Sequence, residues 1–293
     1  MAAPQPSTTP RGPIHWVLDW DGTMTCQDTL DALVTISALS KPSFPTQQGW
    51  KSAVDGYLSD YTWTLEALAP HGSLLPATPD GEKQLLAALK AVEQRSLSRV
   101  SAARIFEGLT KETITKGAAK AVADGAVTLR PGLVDLRRAI ATWQADSLSV
   151  LSVNWSRHFI ASCLSAAGAQ VDACAILANE LDGIHQGATS MGTISQEIVS
   201  SGDKLRCLEK MRQESHGSIV YVGDSWTDIE CLLAADVGIC IRDEPMGSSQ
   251  RRLAEALQRL GVECHRLANG KESRVVWSRD FVEILEWAKS RGS

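Results

Sequence analysis

The run Ile14-His15-Trp16-Val17-Leu18 stops abruptly at Asp19-Trp20-Asp21-Gly22-Thr23. A short, almost wholly apolar run of this length reads as a strand buried on both faces, as the strands of a parallel sheet are. Gly22 then turns the chain away. Two carboxylates are thereby delivered to the C-terminal edge of a strand, the edge at which open α/β sheets bind ligands. Acids so close together repel unless a cation or a shared proton intervenes. Taken alone, the stretch fits a plain strand with an Asp-Gly turn equally well. A calcium-binding loop does not fit: Gly22 occupies the fourth position of such a loop rather than the sixth, and Leu30 stands where its bidentate glutamate belongs.

The remaining chain divides by texture. From Cys26 to Val127 apolar residues recur at steps of three and four and no alternating run occurs, which predicts helices over 27–39, 47–68, 79–106 and 109–123. Thr78-Pro79 supplies an N-cap with proline at the first helical position. After Gly125 short apolar runs alternate with helical ones. Strands are predicted at 148–153, 171–177, 218–222 and 237–241, with an edge strand at 262–267. Helices are predicted from the Arg130-Pro131-Gly132 turn to 145, and over 156–167, 203–212, 227–235, 248–260 and 281–289, and 179–194 reads as a hairpin or flap. This alternation means a parallel sheet with right-handed crossovers. The expected architecture is α/β: a Rossmann-like parallel-sheet core formed by 14–25 plus 128–293, interrupted by an all-helical insertion over 26–127. Residues 1–13 hold four prolines and no apolar block, and read as a disordered tail.

A chain of 293 residues accommodates such a core with an inserted module. Its net charge of −5 argues against a nucleic-acid partner. No apolar run approaches the ~20 residues that span a bilayer, so no membrane partner is expected. The seven cysteines form no C-x-x-C pair and several lie inside apolar runs, which suits the reduced, buried thiols of a cytoplasmic protein. No feature marks any of them as catalytic.

A second acidic cluster repeats the opening pattern. Ser218-Ile219-Val220-Tyr221-Val222-Gly223 leads into Asp224, and Asp228 follows near the start of the next helix. Ser152 ends a third apolar run, Val150-Leu151-Ser152-Val153. Singly, each has an ordinary reading: Ser152 a core-edge serine, Asp228 a helix cap, Lys204 a solvated first-turn lysine. Together they place acids and a hydroxyl from three strand ends at one point, a set of hard oxygen ligands suited to magnesium. Lys204, opening the helix before the fourth strand, can balance the acids and grip phosphate oxygens.

Asp-x-Asp-Gly-Thr, an apolar run ending in Ser152, Lys204, and Gly-Asp-Ser-x-x-Asp resemble, in that order, the four motifs of the haloacid dehalogenase-like superfamily. The helical insertion after the first motif is similar to the cap of its phosphoserine-phosphatase-like branch. Leu151-Ser152-Val153-Asn154-Trp155-Ser156 and Cys231-Leu232-Leu233-x-Ala235-Asp236 also look like fungal and plant members, among them thiamin-monophosphate-phosphatase-like domains. The resemblance implies a magnesium-dependent phosphatase of small-molecule phosphate monoesters. Asp19 would attack phosphorus to form an aspartyl-phosphate, and Asp21 would act as general acid and then base. Magnesium would be held by Asp19, Asp224 and the backbone carbonyl of Asp21, with Asp228 orienting its water or Lys204. Ser152, Asn154 and Lys204 would bind the substrate's phosphoryl end. Asp28 lies at the offset where phosphoserine phosphatases carry a glutamate that binds the substrate's ammonium group; the shorter Asp28 equally fits a helix-capping role. An Asp two residues after the nucleophile separates phosphate-ester enzymes from dehalogenases and transport ATPases.

Three alternatives remain. A phosphotransferase or phosphomutase would use the same site with a sugar phosphate in place of water. A phosphatase acting on prenyl-type diphosphates would need an apolar pocket, for which Trp50, Tyr57, Tyr61 and Trp63 are candidates if they are not simply helix core. A non-enzymatic scaffold predicts a missing catalytic acid, and none is missing.

Overall fold

The computed structural model describes residues 12–70, 75–143, 145–214, 217–269 and 273–290. Residues 1–11 of the expected tail lie outside them. The first strand, β1 (Ile14–Leu18), leads into a tight turn over Trp20–Met24. Four helices follow before the chain returns to the sheet: α1 (Leu30–Ser40), α2 (Thr46–Leu68), α3 (Pro79–Ala102) and α4 (Lys111–Ala123). Then come α5 (Leu133–Thr142), β2 (Ser147–Leu151), α6 (Arg157–Ala166), β3 (Ile176–Leu177), α7 (Ser201–Glu214), β4 (Ser218–Gly223), α8 (Ile229–Ala234), β5 (Val237–Ile241), α9 (Ser248–Arg259), β6 (Cys264–Arg266), β7 (Val275–Ser278) and α10 (Phe281–Ser290).

The seven strands form one parallel sheet in the order β3-β2-β1-β4-β5-β7-β6. Strand β1 therefore sits between β2 and β4, where successive connections leave in opposite directions, the switch point at which a crevice opens. Register sharpens this: Leu18 pairs with Val150 on one side and Val222 on the other, so three strand-end loops start level. Trp16, Val17 and Leu18 are fully buried, as expected of a strand covered on both faces. The helical segment does not stand apart. Leu33, Val34 and Val100 share an apolar cluster with Trp16 and Leu18, and Leu85, Leu86 and Leu89 share the other with Tyr221 and Ile219. Among the described residues no helix is long and apolar enough to cross a membrane.

Several element boundaries differ from the sequence expectation. Helix α3 opens as predicted, with the Thr78 hydroxyl accepting the Gly81 N–H at 3.2 Å. It stops at Ala102 rather than 106, because Arg104 adopts a left-handed backbone (φ 54°). The strand expected over 171–177 shrinks to Ile176–Leu177, since the Asp172 carboxylate takes the Cys174 N–H at 3.1 Å and holds a helical turn over Ala173–Ala175. The helix expected over 227–235 is a short turn, Trp226–Asp228, followed by α8. Strand β7 was not anticipated; it slides between β5 and the expected edge strand. The 179–194 segment closes through an isolated Leu181–Ile194 bridge.

Candidate active site

The level strand ends bring the acids together. Asp19, Asp224 and Asp228 are buried, and one carboxylate oxygen from each lies within 4.8 Å of the others. Lys204, buried in the first turn of α7, donates to Asp19 Oδ1 at 2.6 Å and to Asp228 Oδ1 at 2.7 Å. Burial alone would lower the lysine's pKa, but the two carboxylates outweigh it and hold the group charged. Burial and the charge of Asp228 push the Asp19 carboxyl well above the usual range, and push Asp224 up to about 7. Asp228 moves the other way: Lys204 and its hydrogen bonds overcome its burial.

Hydrogen bonding separates these three acids. Asp228 Oδ1 also accepts the Tyr221 hydroxyl at 2.7 Å, while Oδ2 accepts the N–H groups of Asp224 (3.2 Å) and Ser225 (3.0 Å) and the Ser225 hydroxyl (2.9 Å). Among the described residues Asp224 Oδ1 accepts only from Thr23 Oγ1, at 3.0 Å, and Asp19 Oδ2 and Asp224 Oδ2 accept no hydrogen bond. Two under-coordinated hard oxygens on neighbouring buried carboxylates fit a hard divalent cation. Gly22 makes room for them: at φ +73°, a Cβ there would lie 2.5 Å from Asp224 Oδ2.

Asp21 points elsewhere. Its Oδ1 accepts the Thr29 N–H (2.8 Å) and hydroxyl (2.6 Å), and its Oδ2 accepts Asn154 Nδ2 (2.8 Å). Burial, with repulsion from Asp28, raises its carboxyl to about 7. The Ser152 hydroxyl accepts the Asn154 N–H at 3.0 Å, which leaves its own proton to donate. Asp28 is exposed at the rim and accepts the Leu30 N–H at 2.8 Å, a helix-capping contact, yet desolvation still raises its carboxyl. Asp19, Asp21, Asp28, Ser152, Asn154, Lys204 and Asp224 all line one cleft of about 510 Å³.

Some of the architecture was not foreseen. Arg130, buried beside the first turn, donates to the carbonyls of Gly22 (2.8 Å) and Thr23 (3.1 Å) and to Asp243 Oδ1 (2.5 Å). Arg130-Pro131-Gly132 reads locally as a turn and carries no signal of this reach. Of the four aromatics that were candidates for an apolar pocket, Trp50 and Tyr57 line the cleft, Tyr61 lies under Arg252, and Trp63 is exposed.

The sequence pattern of the haloacid dehalogenase-like hydrolases matches residues 16–233, the span from β1 to α8 that carries Asp19, Asp21, Ser152, Asn154, Lys204, Asp224 and Asp228. The chain belongs to that family. Among haloacid dehalogenase-like relatives, a CTO1 family protein of Schizosaccharomyces pombe is 30% identical over 240 residues, covering 78% of this chain and 81% of that protein. The mitochondrial bifunctional TH2 protein of Arabidopsis thaliana is 25% identical over 259 residues, and this chain spans only 40% of its length. Solved structures share the fold. A substrate-bound phosphoserine phosphatase aligns with a TM-score of 0.52 at 17% identity over 94% of this chain and 99% of that one. Cytosolic 5'-nucleotidase IIIB bound to cytidine gives 0.59 at 13% identity over 96% and 88%.

Proposed function

We propose that the chain is a magnesium-dependent phosphatase that hydrolyses a small phosphate monoester through an aspartyl-phosphate on Asp19, with residues 26–127 as a cap over a core of 14–25 plus 128–293. The observation that carries this reading is the pair of open carboxylate oxygens on Asp19 and Asp224 beside the buried Lys204 ammonium. Asp19, Asp224 and the Asp21 carbonyl would hold the magnesium ion, which supplies charge neutralisation for the phosphoryl group when bound.

The chain's own groups account for the rest. The Asp19 carboxylate attacks phosphorus as the ester P–O bond breaks, and the Asp21 carboxyl gives its proton to the leaving oxygen. Water then attacks the phosphoryl group, Asp21 takes its proton, and Asp19 is released as carboxylate with inorganic phosphate. Thr29 and Asn154 fix Asp21 in place for both transfers. Lys204 and Ser152 hold phosphoryl oxygens, the preorganised positive and donor groups that phosphoryl transfer needs. Asp228, its oxygens already occupied, positions Lys204 and the 224–225 backbone. Asp28 adds negative charge at the rim.

The experiment is phosphate release from a panel of small phosphate esters, with and without magnesium. Asp19→Asn, nearly isosteric, is expected to abolish release while leaving the circular dichroism spectrum unchanged. Wild-type turnover by that variant would overturn the assignment.

A further inference from the structure

The cleft that holds Asp19 is also walled by α2 and α3. Trp50, Val54 and Tyr57 recur at steps of four and three on α2, and Glu93, Ser96 and Leu97 recur at three and one on α3. Each helix therefore turns one stripe into the cleft. The stripes are apolar and aromatic except at Ser96 and Glu93, and only Glu93 carries a carboxylate. This carboxylate is half-buried, and among the described residues its one hydrogen bond is from the Tyr57 hydroxyl to Oε1, at 2.9 Å. No described lysine or arginine reaches it.

Asp55, Glu66 and Asp80 of the same helix pair are exposed to water, but the two other acids on it that are partly or fully buried each have a cation. Asp60, on α2, takes both Arg95 and Arg99 of α3, at 2.8 and 2.5 Å. Glu82, on α3, takes Arg259 of α9 at 2.8 Å. Arg95, two positions from Glu93, is taken by Asp60 instead. Desolvation, uncompensated by any cation, pushes the Glu93 carboxyl up to about 7. A carboxylate left without a counter-ion in a cavity wall is costly unless a ligand supplies the charge. The cleft as a whole argues the same way: among the described residues lining it, Lys204 is the sole lysine or arginine, and it lies at the phosphoryl end.

We propose that Glu93 and Tyr57, with the face of Trp50, form a specificity subsite that takes a positively charged organic group at the end of the substrate remote from its phosphate. Aromatic faces beside a carboxylate attract a bulky organic cation, including one with no N–H to donate. Trp50 is held for this task by its Nε1–H bond to Asp31 Oδ1 (2.6 Å) and by edge contact with Trp155 at 5.6 Å between ring centroids. An apolar chain in the same place would leave Glu93 facing hydrocarbon, which disfavours prenyl-type substrates. The subsite rests on the phosphatase reading of the Asp19 end but adds residues and a ligand class to it.

The test uses two probes of the same shape, phosphocholine and its neutral carbon isostere 3,3-dimethylbutyl phosphate, in magnesium. Wild-type protein is expected to favour phosphocholine in kcat/KM by about tenfold or more, chiefly through KM, the size of one charge-assisted contact. Glu93→Gln should reduce that preference about tenfold, and Tyr57→Phe, which keeps the ring, should reduce it less. A wild-type protein with no preference overturns the subsite, as does a Glu93→Gln variant that keeps the preference or loses both activities in equal measure. In each of those cases hydrolysis by the wild type leaves the phosphatase reading standing. Failure of the wild type to hydrolyse either ester overturns the subsite, while phosphate release from the wider ester panel decides the phosphatase reading.

Discussion

The guanidinium of Arg130 lies 108 residues from Gly22 in the chain and 2.8 Å from its carbonyl in the fold. It joins that carbonyl, the Thr23 carbonyl and the Asp243 carboxylate through separate N–H groups, and so fixes the turn that carries Asp19 and Asp21. Lysine keeps the charge but offers no planar fork. Arg130→Lys is therefore expected to lower kcat on any accepted ester by about 10²-fold, the scale of an ångström-sized misplacement, while KM moves little. Steady-state kinetics would expose the opposite pattern, a KM effect with kcat intact, which would mean that Arg130 acts on binding instead. The strand-end acids were legible because each follows an apolar run that ends on it. Arg130, Tyr221 and Glu93 were not. Tyr221 reads as a core aromatic inside its strand, and Glu93 as one solvated charge among several on a long helix. Only packing across the fold reveals that the Tyr221 hydroxyl meets Asp228 and that the Glu93 carboxylate meets no cation among the described residues.

Among the elements, α3 was the best marked at its start and the worst at its end. Thr78-Pro79 is a local signal, whereas the stop at Ala102 depends on a left-handed Arg104 that nothing nearby announces. Strand β7 is four residues long and needed β5 and β6 on either side to be recognised as a strand. Helix α3 also ties the insertion to the elements bearing the site. Buried Glu82 accepts from Trp226 Nε1 (2.5 Å) and Arg259 (2.8 Å), and Lys90 donates to Asp203, beside Lys204, at 2.7 Å. These clamps are not equivalent. Removing Glu82 strands an arginine side chain that is only 19% exposed, together with a buried indole N–H, so Glu82→Ala should cost about 3 kcal/mol. Lys90 is partly exposed, and Asp203 keeps Arg206, Ser200 and the Val199 N–H, so Lys90→Ala should cost about 1 kcal/mol or less. Urea unfolding of both variants decides this; equal losses would mean that the Glu82 cluster adds nothing beyond an exposed pair.

For the whole molecule, the junction of β1 and β4 concentrates like charge at the point where the fold is best buried. One carboxylate oxygen each of Asp19, Asp224 and Asp228 lies within 4.8 Å of the others, Lys204 bonds Asp19 and Asp228 but not Asp224, and Asp224 Oδ2 fills the space left by Gly22. Such a centre opposes folding, so a cation bound there is expected to stabilise the fold. Magnesium at about a hundred times its dissociation constant should add about 2.7 kcal/mol, or roughly 4 °C in Tm for a chain of this size. Asp224→Asn removes one of the repelling charges and one of the two open anionic oxygens. It should therefore match or exceed the wild-type Tm in chelator, yet gain little from added magnesium. Differential scanning calorimetry in chelator and in magnesium separates the two effects without any assay of turnover. A variant that gains as much from magnesium as the wild type does would place the cation elsewhere in the molecule, and the pairing of Asp19 with Asp224 as its ligands would have to be abandoned.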